Sequence, residues 1–289
     1  MNIRYVPYGS IDKQKWDKCV GEAPNGSVYV RSVYLDHMSR HWDGLVLDDY
    51  AAVFPLTWNR KWGIHYLYQP PLAATGGPIS PQKIAPGMVD AFLDAIPPRF
   101  KFWDFNLNRE SRAEHPKLYE RMNFLLPLDK PYDVLKGGYD ANTRRNLVKG
   151  AELSYVNDVT VEEVIKLDGQ CNQETKERFL KLSTHLEKKI RAVRDAQGNL
   201  LASAVFLFSH QTAYYLLVGN HPEGRKQGAS HRLIDGFIGE HAGQELTLDF
   251  EGSDIPGVAR FYKGFGANAD PYTAVRLNRL PAPLKWLKH

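Results

Sequence analysis

Apolar residues alternate with polar ones in some stretches of the chain, which predicts strands. In other stretches they recur every three or four residues, which predicts helices. The clearest stretch, IRAVRDAQGNLLASAVFLFSHQTAYYLLVGNHPEG, predicts a meander of three strands with turns at Gly198 and near His210. The expected strands are Ile190–Arg194, Leu200–Phe208 and Ala213–Val218. The next stretch, GASHRLIDGFIGEHAG, predicts a helix because four large apolar side chains recur on one face.

The same order of elements occurs in both halves of the chain. Helix, helix, meander, helix, strand, short helix and strand can be traced twice, without a residue-level repeat. In the first half, SIDKQKWDKCVG predicts a capped helix and VYVRSVYLDHMSRHW a short strand leading into a helix. The order predicts two copies of one α+β unit. The boundary is expected in LPLDKPYDVLKGGYD, which divides the chain into residues 1–130 and 131–289.

Composition narrows the class of protein. With 289 residues, 43% hydrophobic and 24% charged, the chain has the composition of a soluble globular protein. The net charge of +4 comes without a run of like charges, so it does not indicate nucleic-acid binding. The alternative, a local basic groove, is compatible with this net charge. The cysteines and histidines show no metal-ligand spacing, so we predict no metal site and no disulfide framework. Without an apolar leader or a bilayer-spanning stretch, a cytoplasmic location is expected.

The stretch LDFEGSDIPGVARFYKGFGA holds the first candidate for chemistry. Alternation along a strand puts Asp249 and Glu251 on one face, and the helix that Pro256 starts carries Tyr262. A carboxylate can take the proton of an attacking amine, and a phenol can supply one to a leaving group. These three residues are the predicted catalytic groups, with Lys263 beside them as a substrate ligand. The alternative is a strand-to-helix connection in which Asp249 caps the helix and Tyr262 packs in the core.

The loop GNHPEGRKQGASHRL, between a predicted strand and a helix, holds the second candidate. The first N–H groups of a helix lack an intrahelical acceptor and bind phosphate, and a nearby basic residue strengthens that preference. The predicted phosphate ligands are Arg225, Lys226, Gln227, Gly228, Ala229 and Ser230. The alternative is an ordinary loop with a solvated Arg-Lys pair.

Two further groups are candidate substrate ligands. In TRRNLVKG, Arg144 and Arg145 lie with Lys149 on neighbouring positions of a predicted helix, as a basic rim for a phosphate-rich or carboxylate substrate or as a solvated helix face. In WDFNLN, Asp104 and Asn106 share one face of a predicted strand. We expect Asp104 to orient an amine; the alternative is an edge strand with no such role.

The meander, the Arg-x-x-Gly loop, the following helix and strand, and ARFYKGFGA together resemble the GNAT superfamily of acyl-CoA N-acyltransferases. That family holds the coenzyme A pyrophosphate on a loop that Arg225 and Gly228 match, with Ser230 at its last position. Tyr262 falls near the family tyrosine that protonates the departing thiolate. The resemblance implies acyl-CoA as co-substrate and two GNAT-like units, each a mixed, mostly antiparallel sheet flanked by helices. The first half has no such loop, which implies a unit without cofactor.

Two such units in one chain are similar to the FemAB/FemX peptidyltransferases, which take amino acids from aminoacyl-tRNA. DFEGS followed by PGVARFYKGFG resembles the region through their Phe-Lys-x-x-Phe-Gly motif, at Phe261, Phe265 and Gly266, with Tyr262 in place of the lysine. The stretch ANTRRNLVKGAE is also similar. The likeness rests on motifs in the C-terminal half and on the order of elements in the N-terminal half.

The leading prediction is therefore an enzyme that moves an acyl group from acyl-CoA to a small-molecule or peptide-like amine. FemAB-like aminoacyl transfer from aminoacyl-tRNA is the first alternative. A ligand-binding module on the same fold, without catalysis, is the second.

Overall fold

The computed structural model describes residues 2–85, 87–111, 113 and 118–282. It divides into two compact units. Unit 1 runs to Arg121 and resumes at Pro271, and unit 2 is Met122–Asp270.

Both units contain strands and helices. The strands are β1 (Ile3–Val6), β2 (His41–Leu47), β3 (Ala52–Lys61), β4 (Ile64–Tyr68), β5 (Phe100–Asn106), β6 (Leu118–Pro127), β7 (Ser154–Val156), β8 (Lys188–Arg194), β9 (Leu200–Ser209), β10 (Thr212–Asn220), β11 (Thr247–Asp249) and β12 (Asn268–Asn278). The helices are α1 (Lys13–Glu22), α2 (Ser32–Met38), α3 (Met88–Asp94), α4 (Tyr132–Gly137), α5 (Ala141–Lys149), α6 (Val161–Leu167), α7 (Gln173–Ser183), α8 (Pro222–Lys226), α9 (Ala229–His241) and α10 (Pro256–Lys263). Within the described ranges, none of these helices combines the length and the apolarity that crossing a bilayer requires.

The two units share one sheet topology. Unit 1 has the strand order β1-β2-β3-β4-β5-β12, and unit 2 has the order β7-β8-β9-β10-β11-β6. In each unit the fourth and fifth strands of this order are parallel, and the other neighbours are antiparallel. The predicted α+β fold of tandem units, each a mixed and mostly antiparallel sheet with helices, is confirmed.

The apolar face of α9 packs on the sheet of unit 2, as its spacing predicts. Phe237 stacks on Phe206 of β9, with ring centroids 3.8 Å apart. Leu233, Ile234 and Ile238 on the same face are also buried. Burying each such side chain contributes about 1.5–3 kcal/mol. This face therefore fixes the position of α9 on the sheet.

Unit 1 corrects one prediction about local structure. Residues Val28–Val30 form a short 3-10 turn, so the strand predicted at the start of VYVRSVYLDHMSRHW is wrong. The fully buried Trp16 of α1 donates its indole N–H to the carbonyl of Val30, at 2.8 Å. The turn is thus held by a side chain from α1 rather than by a neighbouring strand.

In each unit a left-handed glycine precedes the helix that leads into the fifth strand. Gly87 (φ 75°) is the N-cap of α3, and Gly228 (φ 77°) is the N-cap of α9. Neither residue supplies a side-chain acceptor to the first turn. The two units therefore match in this detail as well as in strand order.

Candidate active site

In unit 2 the parallel strands β10 and β11 pair only briefly before they part. Their paired residues end at Tyr214 in β10 and Asp249 in β11. Just beyond, β10 has an irregularity in register between Tyr215 and Leu217. Bulges of this kind re-aim side chains and end pairing. As a result the ring of Tyr215 lies against Phe250, which follows β11, with centroids 6.1 Å apart.

A tight turn after β11 positions Glu251. Glu251 (φ 67°) and Gly252 (φ 69°) are both left-handed, and a Cβ on Gly252 would lie 2.5 Å from the backbone carbonyl oxygen of Met122. The carboxylate of Asp249 accepts hydrogen bonds from the Glu251 N–H (2.8 Å) and from the Asn123 side-chain amide (2.9 Å). The predicted strand alternation from Asp249 to Glu251 is wrong, because the strand ends at Asp249 and the turn sets the direction of Glu251.

Tyr262 of α10 lies over this turn. Its ring stacks on Phe250, with centroids 4.6 Å apart, and meets Tyr215 edge-on at 6.5 Å. Burial raises the pKa of Tyr262, and the negative charges of Glu251 and Asp249 raise it further. The phenol therefore stays protonated at neutral pH and can act as a proton donor. The structure thus brings together the three residues predicted as catalytic.

Sequence reasoning missed two members of this cluster. Burial raises the pKa of Tyr215 well above its ordinary value, and the neighbouring Tyr262 adds to the effect. Asn123 lies far from Asp249 in sequence and reaches it because β6 pairs with β11. No local signal marks either residue, since one depends on a strand irregularity and the other on strand pairing.

The start of α9 combines a glycine N-cap with basic side chains. The loop predicted to hold phosphate contains a short helix, α8, in which Arg225 and Lys226 are exposed, and Lys226 pairs with Glu223 at 2.7 Å. Because Gly228 has no side chain, the first N–H groups of α9 are free of a side-chain cap. Of the predicted ligands within α9, Ala229 is buried, and Ser230 donates its hydroxyl to the side-chain oxygen of Asn220, at 2.6 Å.

Helix α5 reaches the same end of α9, which sequence reasoning did not foresee. A Cβ on Gly228 would lie 2.3 Å from the carbonyl oxygen of Asn146 in α5. A Cβ on Gly150, which ends α5, would lie 3.2 Å from the carbonyl oxygen of Gln227. The exposed Lys149 therefore joins Arg225 and Lys226 at the start of α9.

The predicted arginines of α5 have different environments. Arg144 donates to the carbonyls of Tyr139 (3.0 Å) and Gly137 (2.8 Å), so it ties down the chain before α5. The exposed Arg145 donates to the side-chain oxygen of Asn142, at 2.8 Å. Arg145 is thus the more accessible of the two for a ligand.

His231 links the first turn of α9 to α10. Its ring meets Phe261 edge-on, with centroids 4.8 Å apart, and Phe261 directly precedes Tyr262. Burial lowers the pKa of His231 from 6.5 to about 4, so the ring is neutral at neutral pH. Its buried Nε2 has no hydrogen-bond partner in the described part of the chain. Helix α10 therefore contacts both the start of α9 and the turn after β11 that positions Glu251.

The remaining predicted ligands hold structure around them. Asp104 of unit 1 accepts a hydrogen bond from Arg276 at 3.1 Å. Asn106 is buried and donates its side-chain amide to the carbonyl of Ala74, at 2.6 Å, which secures the loop after β4. In unit 2, exposed Lys263 places its ammonium 5.6 Å from the ring centre of Phe124. Over the residues that the structure describes, no group of three or more His, Cys, Asp or Glu side chains could hold a metal ion.

Comparison with known proteins gives likeness at the level of the fold. No protein-family model matches the sequence, and a comparison with curated proteins finds no match. The structure of FemX covers 100% of both chains with a TM-score of 0.65 at 14% identity. A conserved protein of unknown function from Bacteroides thetaiotaomicron gives a TM-score of 0.55 at 11% identity, covering 92% of this chain and 97% of that one.

A third solved structure is similar over nearly the same length. The C-terminal domain of a protein assigned as a lysylphosphatidylglycerol synthetase from Agrobacterium fabrum gives a TM-score of 0.52 at 14% identity. It covers 96% of this chain and 94% of that domain. Over its described length this chain has a FemX-like fold of two units that share one strand order.

Proposed function

We propose that unit 2 transfers an acyl group from a phosphate-bearing donor to an amine. The observation that carries the proposal is the placement of α10. Its Phe261 contacts His231 in the first turn of α9, and the next residue, Tyr262, lies over the turn that holds Glu251. Helix α10 thus links the uncapped start of α9, where we expect an anion to bind, to the residues that we expect to transfer protons.

The leading donor is acyl-CoA, the prediction made from the loop sequence. The pyrophosphate would bind at the N–H groups of α9, because Gly228 leaves them without a side-chain cap. Arg225 and Lys149 would add positive charge there, since both are exposed near that end. Lys226 would contribute less, because it already pairs with Glu223.

Two proton transfers accompany the chemistry. A bond forms between the amine nitrogen and the thioester carbonyl carbon, and the carbon–sulfur bond breaks. Glu251 takes the proton that the attacking nitrogen loses, and Tyr262 gives its phenol proton to the departing thiolate. Asp249 already accepts two hydrogen bonds, so its role is to hold Glu251 in position.

Aminoacyl-tRNA is the second candidate donor. The FemX fold over the full length of the chain and the exposed cations of α5 favour it. In that case a carbon–oxygen ester bond breaks, and the proton of Tyr262 goes to the ribose oxygen. A long phosphate backbone would contact Arg145 as well as Arg225, whereas coenzyme A would need fewer cations.

Unit 1 is proposed to bind no coenzyme. Its helix α3 also begins at a left-handed glycine, Gly87, but Asp90 lies in its first turn. A carboxylate there satisfies the helix dipole and repels an anion. The first turn of α9 has no acidic residue.

The test is calorimetric titration with coenzyme A and acetyl-CoA, in parallel with binding of aminoacyl-tRNA. Arg225→Glu should abolish acyl-CoA binding, and Lys166→Glu, an exposed lysine of α6, should leave it unchanged. Binding of aminoacyl-tRNA without binding of coenzyme A or acetyl-CoA would favour aminoacyl-tRNA as the donor. Ligand binding without acyl transfer to any amine of a panel would support the non-catalytic alternative and overturn the proposal that the protein is an enzyme.

A further inference from the structure

The hairpin of β3 and β4 in unit 1 ends in a turn with an unusual residue. Lys61 pairs with Ile64, which leaves Trp62 (φ 50°) and Gly63 (φ 80°) as a two-residue loop with the dihedral signs of a type I′ turn. Asn or Asp normally precedes Gly in such turns because these residues tolerate the left-handed conformation. A bulky side chain is strained there. Trp62 nevertheless occupies the site, with 74% of its surface exposed.

The same end of the sheet is rich in exposed cations. Strand pairing brings His41 beside Trp58, His65 beside Phe100, and Arg279 beside Lys101. The exposed cations on these strand ends and the hairpin, here named the basic edge, are Arg40, Arg60, Lys61, Arg99, Lys101 and Arg279. The sequence segments that carry them, 39–41, 58–65, 97–101 and 278–280, contain no Asp or Glu.

Two of the cations in the basic edge contact neighbouring side chains. Arg99 pairs with Asp43 at 3.1 Å, and Lys61 places its ammonium 4.8 Å from the ring centre of Trp62. Burial lowers the pKa of His65, and the positive charges of Arg99 and Arg60 lower it further. The fields of both guanidinium groups therefore overlap at the His65 ring. The basic edge therefore carries a positive field around an exposed indole.

We propose that the basic edge docks on an anionic lipid surface, with Trp62 entering the headgroup layer. Indole side chains favour the boundary between lipid and water, and Lys and Arg residues bind anionic headgroups. The indole stands at the tip of a hairpin, and the cations lie on the strand ends around it. A single-stranded nucleic acid would instead favour a basic groove lined by several stacking aromatics. Docking explains why Trp62 occupies a strained position. Asn would adopt the left-handed conformation more easily, but it would expose no indole.

The experiment is co-sedimentation of the full chain with vesicles of mixed phosphatidylglycerol and phosphatidylcholine, compared with vesicles of phosphatidylcholine alone. Binding is expected only to the anionic vesicles, and it should weaken with added salt. Arg60→Glu and Lys61→Glu should each reduce binding by at least roughly fivefold. Lys166→Glu in unit 2, an equal change of charge outside the edge, should bind as the wild type.

Trp62→Asn separates docking from folding. Asn suits the left-handed position, so this variant should melt at the same or a higher temperature while losing most vesicle binding. Equal binding to neutral vesicles, or undiminished binding by Trp62→Asn, would overturn the proposal. The proposal would also be overturned if anionic vesicles were not bound and Trp62→Asn instead abolished binding of tRNA. The same conclusion would follow if anionic vesicles were not bound and Trp62→Asn abolished self-association of the protein in sedimentation.

Discussion

The carboxylate of Asp249 accepts a hydrogen bond from the backbone N–H of Glu251, 2.8 Å away. This contact spans the point where β11 ends and the chain turns through two left-handed residues. It fixes Glu251 beside Tyr262, whose pKa the carboxylate raises. The proposed proton acceptor therefore depends on a strained backbone position that its neighbour holds.

Replacement of Glu251 should separate activity from stability. Glu251→Gln keeps the size of the side chain and removes the proton acceptor, so the acyl-transfer rate should fall about 10²–10⁴-fold. Glu251→Gly removes the same acceptor and relieves the left-handed strain, so the free energy of unfolding should rise by up to about 1 kcal/mol. Steady-state kinetics and urea denaturation measure the two effects. Full activity in Glu251→Gln would exclude this residue as the base.

Tyr262→Phe should impair chemistry and leave binding intact. Phe retains the stacking on Phe250 but has no proton to give. We expect the turnover number to fall about 10²–10⁴-fold, with little change in donor affinity by calorimetry. Tyr215→Phe is the matched variant, since it alters the adjacent tyrosine in the same way. An equal loss in both variants would show that Tyr262 has no special role as donor.

Gly228→Ala should destabilise the protein. Its Cβ would lie 2.3 Å from the carbonyl oxygen of Asn146, and the left-handed conformation adds about 1–2 kcal/mol of strain. Gly239→Ala is the control within the same helix, because there a Cβ meets only the ring of Tyr132 at 3.5 Å. That change should stabilise α9 by about 0.5–1 kcal/mol. Thermal unfolding should therefore shift in opposite directions, and a shift of the same sign in both would contradict the packing of α5 on α9.

His231 should make the fold sensitive to acid. Its pKa is lowered from 6.5 to about 4 by burial, so the unfolded chain binds this proton more readily than the folded protein. The free energy of unfolding should therefore fall as pH falls from about 6.5 to about 4. Below about pH 4 the contribution of His231 should no longer change with pH. His231→Leu removes the titration and keeps an apolar contact with Phe261. Denaturant unfolding across this range should show a flatter pH dependence in the variant, and an unchanged slope would mean that other groups control acid stability.

Local pattern was sufficient for the meander, for α9 and for the start of α10. The alternation of the meander and the apolar face of α9 depend on residues a few positions apart, and so does the start of α10 at Pro256. The tandem repeat of elements also follows from order alone. The same local reasoning erred at Val28–Val30, where a side chain from α1 holds a turn, and at Glu251, where the strand ends early.

The sequence by itself determined the α+β units and nominated Asp249, Glu251 and Tyr262 for one site. Only the tertiary structure decided that Asn123 and Tyr215 join them, that α5 meets the start of α9, and that Trp62 lies among cations from several strand ends. The physical reason is range. Periodicity and turn chemistry act between near neighbours, whereas strand pairing, helix packing and the summed field of charges join residues that the chain separates widely.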